Sequence, residues 1–188
     1  MYPIGINTFL FDSTFTNQSI SWFHKFAQWG FDTVEIAAED PSSLDGPLIK
    51  TALEKHHLKC TSVAAAFGPD RDLRGTPEQQ QASIKYIKEI IDFTKAVGGE
   101  FVVGPLYSSV GRADAVASTV YAMQEEIVVA HLKELCKYAE AVQIKLAIEP
   151  LNRFETDFIN TCEQGLKLIE KVGSNSLYIH LDTFHMNI

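Results

Sequence analysis

IEPLNRFET (148–156) places a glutamate, Glu149, at the end of an apolar run, 144–148, that only Lys145 interrupts. A short apolar run behind a long helical pattern reads as a parallel strand covered by helices on one face. Glu149 closes that strand and faces the space above it, and Glu155 adds a second carboxylate from the loop leading to the next helix. The arrangement returns in YIHLDTFH (178–185), an apolar strand read as ending at Asp182 with His185 three positions on. In a parallel α/β sheet the carboxyl ends of the strands share one face, so Glu149 and Asp182 are expected to be neighbours in space.

Earlier in the chain, strand patterns at 4–9, 33–38, 60–67 and 100–103 alternate with helical patterns at 17–29, 47–57, 76–97 and 113–142. A fifth helix, 161–172, separates the last two strands. The boundaries carry their own signals: Asn17 or Ser19 can cap the first helix and Gly30 close it, Pro47 suits a first turn, Thr76-Pro77-Glu78 opens the third, and Gly173 stops the last. The pattern at 113–142 is long enough to suggest two helices with a bend. Six strands and five helices without a linker describe one α/β domain, 1–188. A doubly wound sheet and a TIM (β/α)8 barrel both fit. Acids closing successive strands favour the barrel, whose strand ends converge on one mouth. A barrel needs eight strands and about 250 residues, so the domain is expected to be incomplete, with strands seven and eight absent and no helix after the sixth strand.

Composition narrows the function. With 46% hydrophobic and 21% charged residues, a net charge of −8 and a pI near 5.2, the chain is an ordinary globular one that lacks the basic surface needed for nucleic acid or an anionic membrane. A small neutral substrate suits it, and the absence of a leader pattern or a long apolar stretch points to the cytoplasm. Cys60, Cys136 and Cys162 are odd in number without CxxC spacing, and read as buried reduced thiols. A carboxylate closing a buried strand is costly unless paired or bound to a metal. For Glu149 and Asp182 the alternatives are an ion pair, with Arg153 for example, or a helix cap. Arg71, Arg74 and Arg112 read as solvated loop charges.

The strings EPLNRFET (149–156) and LDTFHMNI (181–188), supported by GFDTVEIAA (30–38), resemble the ketose 3-epimerases, the D-tagatose and D-psicose 3-epimerase group within the xylose isomerase-like TIM barrels. The resemblance runs along the whole chain. It implies a divalent metal, manganese before magnesium or cobalt, held by Glu, Asp, His and Glu from four strand ends. Glu149 matches the first ligand, which is also the catalytic acid/base, and Asp182 the second; Glu155 and His185 match residues that bind the first two oxygens of the sugar. The remaining two ligands belong to strands seven and eight. The activity implied is inversion at carbon 3 of ketohexoses, D-tagatose/D-sorbose or D-fructose/D-psicose, in an oligomeric enzyme, with these 188 residues alone inactive. Another sugar isomerase of the same superfamily or an inactive sugar-binding fragment would carry the same motifs. Asn7 stands where that group has an aromatic residue, and the loop GPLYSSVGR (104–112) lacks its tryptophan, which leaves the preferred ketose or ketose phosphate open.

Overall fold

The computed structural model describes residues 2–188. Its six strands are β1 (Gly5–Asn7), β2 (Thr33–Ala38), β3 (Lys59–Ala65), β4 (Phe101–Gly104), β5 (Lys145–Ile148) and β6 (Leu177–Ile179). They form one parallel sheet in chain order, each paired with its predecessor. A doubly wound sheet must reverse its order at a switch point. This one never does, so the crossover helices lie on one side and the sheet is an arc of a barrel.

The two faces of that arc differ. Ile36, Val63, Val102, Leu146 and Leu177 occupy successive register positions on the outer face and belong to the main core. That core is completed by α1 (Phe23–Gln28), α2 (Gly46–Lys55), α3 (Pro77–Val97), α4 (Ser118–Ala141) and α5 (Cys162–Val172). Each fully buried aliphatic side chain in it contributes about 1.5–3 kcal/mol. Ala64, Val103 and Ala147 form a separate small cluster on the inner face, where the alternation of strand residues also puts Asn7, Glu35, Ser62 and Glu149. An extra residue, Thr61, interrupts the β2–β3 register, so that both Cys60 and Val63 face the outer core while Ser62 turns inward.

Local signals account for most boundaries. Thr76 with Gln79, and Thr161 with Gln164, form capping boxes at the starts of α3 and α5. Gly104 ends β4 at φ 128°, where a Cβ would lie 3.0 Å from the carbonyl oxygen of Ala65. Only glycine lets the chain pass so near its neighbour there.

Four expectations change. The first helix opens as a 3₁₀ turn, Asn17–Trp22, capped by Thr16 instead of Asn17 or Ser19. The 113–142 pattern gives a single helix, α4, because Val128, Leu132, Leu135, Cys136 and Ala139 keep one continuous buried face. Strand β6 stops at Ile179, three residues before Asp182, and a sixth helix, α6 (Thr183–Met186), follows it. Cys60 and Cys136 are buried, but Cys162 is half-exposed at the start of α5. Among the described residues no helix is long and apolar enough to cross a membrane.

Candidate active site

Glu149 is the residue after β5 and continues its inward alternation. Its backbone is held on both sides: its N–H donates to the carbonyl of Gly104 at 3.0 Å, and the buried Tyr107 hydroxyl donates to its carbonyl at 2.7 Å. Desolvation raises the Tyr107 pKa, so the phenol remains a donor. The Glu149 side chain is 11% exposed, yet among the described residues the nearest donors to its carboxylate lie beyond hydrogen-bond distance. Its nearest cationic candidates are His180 Nδ1 at 3.6 Å and His185 Nε2 at 3.7 Å. Arg153 is not one of them; its guanidinium stacks on Phe154.

Asp182 divides its carboxylate between two tasks. One oxygen accepts the Phe184 N–H at 2.8 Å and caps α6; the other lies 4.0 Å from His185 Nε2. Donor atoms of Glu149, Asp182 and His185 all fall within 4.8 Å of one another. Two carboxylates turned toward one point without a protein cation are mutually repulsive, and a hard divalent ion fits the gap. His185 has a different part. The backbone N–H of Asn152 donates to its Nδ1 at 3.2 Å, so in the neutral ring the proton is on Nε2, which then donates into the site instead of ligating a metal. The Asn152 amide also donates to Glu155 at 2.7 Å. Glu155 therefore stands two hydrogen bonds behind His185, through Asn152, and is not among the cavity's lining residues.

That cavity, about 440 Å³, is lined by Asn7, Glu35, Glu149, His180, Asp182 and His185 with apolar neighbours that include Phe9 and Leu181 and, among the described residues, no lysine or arginine. Sequence reasoning missed three of its features. Glu35 sits mid-strand in TVEIAA, where a lone acid between apolar residues is the signal of an inward position. His180 follows β6 directly. Glu149, as the acceptor facing Nδ1, raises the His180 pKa above the ordinary imidazole value against the opposing effect of burial. At 3.6 Å the pair is beyond hydrogen-bond length, so this influence is one of charge and of a bond that closes on protonation. Asn152 carries no signal in the sequence, because its role exists only through its hydrogen bonds to Glu155 and, 33 residues away, His185.

The loop arginines are paired instead of free, although Arg71 and Arg112 remain partly exposed. Arg74 is fully buried: Nη1 meets Asp157 at 2.7 Å and Nη2 donates to Ser108 at 2.8 Å. Asp72 accepts from Arg112 at 3.0 Å, Ser109 at 3.1 Å and the Arg74 backbone at 2.7 Å. Arg71 places its guanidinium carbon 3.8 Å from the Tyr86 ring centre and donates to the carbonyls of Glu39 and Ala66. Together with a parallel bridge between Arg112 and Thr156, these contacts tie the loops after β3, β4 and β5 together around the site.

An arc of parallel strands in chain order, with acids gathered where β5 and β6 end, defines a barrel protein of the strand-end-site class. A model of the xylose isomerase-like TIM barrel family matches residues 23–188, and the chain belongs to that family. It is 30% identical to an L-ribulose 3-epimerase of Methylomonas sp. over 163 residues, 86% of this chain and 56% of the relative. It is likewise 30% identical to an L-ribulose 3-epimerase of Mesorhizobium japonicum over 194 aligned positions, 100% of this chain and 63% of the relative. The crystal structure of a D-allulose 3-epimerase from Methylomonas sp. in complex with D-allulose superposes with a TM-score of 0.90 at 26% identity, covering 99% of this chain and 64% of that one. The chain thus spans less than two thirds of the length of these relatives.

Proposed function

We propose that the chain is the first six strand-helix units of a metal-dependent ketose 3-epimerase. The observation that carries this is the Glu149 carboxylate, buried without a hydrogen bond and turned into a cavity beside Asp182. Glu149 and Asp182 would hold a divalent ion, manganese by preference, since carboxylate-rich sites select hard cations. When bound, the ion would polarise the oxygens on carbons 2 and 3 of the ketose and stabilise negative charge developing there.

Glu149 takes the proton from carbon 3, and the resulting enediolate is steadied by Nε2–H of His185, whose ring Asn152 holds in the donating orientation. Glu155 orients Asn152 and through it His185. Inversion requires that a proton return from the opposite face. Besides Glu149 and Asp182, the only carboxylate among the cavity's described lining residues is Glu35, and both its oxygens accept hydrogen bonds. We therefore assign the second base to strands seven and eight of a longer barrel. The absence of lysine and arginine from the lining supports a neutral ketose over a ketose phosphate. Exposed apolar side chains near the mouth, Phe9, Leu10, Leu181 and Phe184, support assembly into a homo-oligomer.

The test is isotopic. D-fructose, D-psicose and L-ribulose are incubated in deuterated water with manganese and the protein, and carbon 3 is examined by nuclear magnetic resonance. Label at carbon 3 that disappears in Glu149→Gln is expected. Label confined to carbon 1 or carbon 2 would overturn the assignment in favour of an aldose–ketose isomerase.

A further inference from the structure

Across the cavity from Glu149, three polar side chains stand side by side on the inner face: Asn7 on β1, Glu35 on β2 and Ser62 on β3 occupy adjacent register positions. Asn7 caps the 3₁₀ turn Thr8–Leu10 by accepting the Phe9 N–H on Oδ1 at 2.7 Å. That bond fixes which way the carboxamide points and sends Nδ2 to Glu35 Oε1, also at 2.7 Å. Ser62, turned inward by the extra residue in β3, donates to Glu35 Oε2 at 2.5 Å. One Nδ2 hydrogen of Asn7 and further lone pairs on Glu35 are left over.

The next inward register positions toward the mouth are Ala37 and Ala64, so nothing bulky separates Glu35 from the cavity that it and Asn7 line. A carboxylate is an expensive way to fill a barrel floor that apolar side chains could pack. Its position has a geometric meaning as well. Glu149 and Asp182 follow β5 and β6, whereas Asn7 and Glu35 belong to β1 and β2, at the other end of the arc.

We propose that Asn7 and Glu35 form a subsite that reads a hydroxyl on the distal half of the ketose, carbons 4 to 6. Glu35 accepts from that hydroxyl and the free Asn7 N–H donates to it. This rests on the epimerase reading, which places carbons 2 and 3 at Glu149 and Asp182.

The manganese-loaded protein is titrated calorimetrically with D-psicose and with its 4-, 5- and 6-deoxy derivatives. One deoxy compound is expected to bind about ten- to a hundredfold more weakly than D-psicose, the range for losing a hydrogen bond to a charged group. In Glu35→Gln, D-psicose should weaken by a similar factor and the difference between it and that deoxy compound should vanish. Asn7→Ser keeps a capping side chain and should narrow the difference without unfolding the turn, which preserves the test if Glu35→Gln folds poorly. Folded variants that bind all four sugars as the unaltered protein does would overturn the subsite and make the floor purely structural, with the epimerase reading intact. Failure of the unaltered protein to bind D-psicose, D-fructose or L-ribulose would overturn that reading itself, and the subsite with it.

Discussion

Two clusters of charge lie on the same face of this barrel, and they are built on opposite principles. Around Arg74, two aspartates meet two arginines, and of their buried side-chain polar atoms only Arg74 Nε and Asp157 Oδ2 go without a hydrogen bond. Around Glu149, two carboxylates meet no lysine or arginine at all. The first cluster joins loops, and its charges are spent on each other. The second keeps its charge for something that arrives from outside. Burial alone does not separate them, since Glu149 is nearly as enclosed as Asp72; pairing does.

The sharpest way to break this contrast is to remove a charge from each. Arg74→Leu leaves Asp72 and Asp157 buried with too few partners and should destabilise the fold by about 3–5 kcal/mol in chemical denaturation. Glu149→Gln removes the repulsion from Asp182 and, where His180 is protonated, an attraction to that ring; at a pH above the His180 titration it should leave the metal-free protein within about 0.5 kcal/mol of its original stability, or raise it. Equal losses from the two variants would make Glu149 a structural acid.

Manganese should act on one cluster only. At a hundredfold excess over its dissociation constant it should stabilise the unaltered protein by about 2.7 kcal/mol, seen as a higher thermal midpoint, and should do nothing for Glu149→Gln. Asp182 separates its two oxygens in the same assay. Asp182→Asn keeps a capping side chain and should lose manganese stabilisation alone, whereas Asp182→Ala should lose a further ~1 kcal/mol from the cap.

The smallest effect is a pH dependence of the metal-free protein. Because Glu149 raises the folded-state pKa of His180 above 6.5, protonated His180 favours the folded form. That contribution is complete below the unfolded value and fades as pH rises through the higher folded value. The thermal midpoint should therefore decline over that interval, and the decline should disappear in Glu149→Gln. An identical slope in both proteins would remove Glu149 as its cause.

The contrast also explains what the sequence could and could not disclose. Strand-helix alternation was legible because each segment carries its own period and its own caps, and Glu149 was legible because an acid ending an apolar run is a local anomaly. Strand order left no local mark of its own and was legible only through the barrel reading, which the acids closing successive strands favoured and the sheet bears out. Arg74 was misread as solvated because its main partner, Asp157, lies 83 residues away. Glu35 escaped notice for a related reason: the polar row that makes its inward position meaningful is completed by Asn7 and Ser62, which come from two other strands. Asp182 lay within the expected region, but a short strand followed by a one-turn helix has no distinctive period, so both the end of β6 and the existence of α6 were lost.

The double duty of Asp182 has a consequence in time. A helix of four residues has too few internal bonds to persist by itself. Its first turn depends on a carboxylate whose other oxygen faces the ion site, so an ion that immobilises Asp182 also immobilises the acceptor of the Phe184 amide. The Phe184 amide proton is thus a clock for the site. Its exchange with solvent should slow when manganese is supplied, following the residence of the ion at a backbone position two residues away from any ligand.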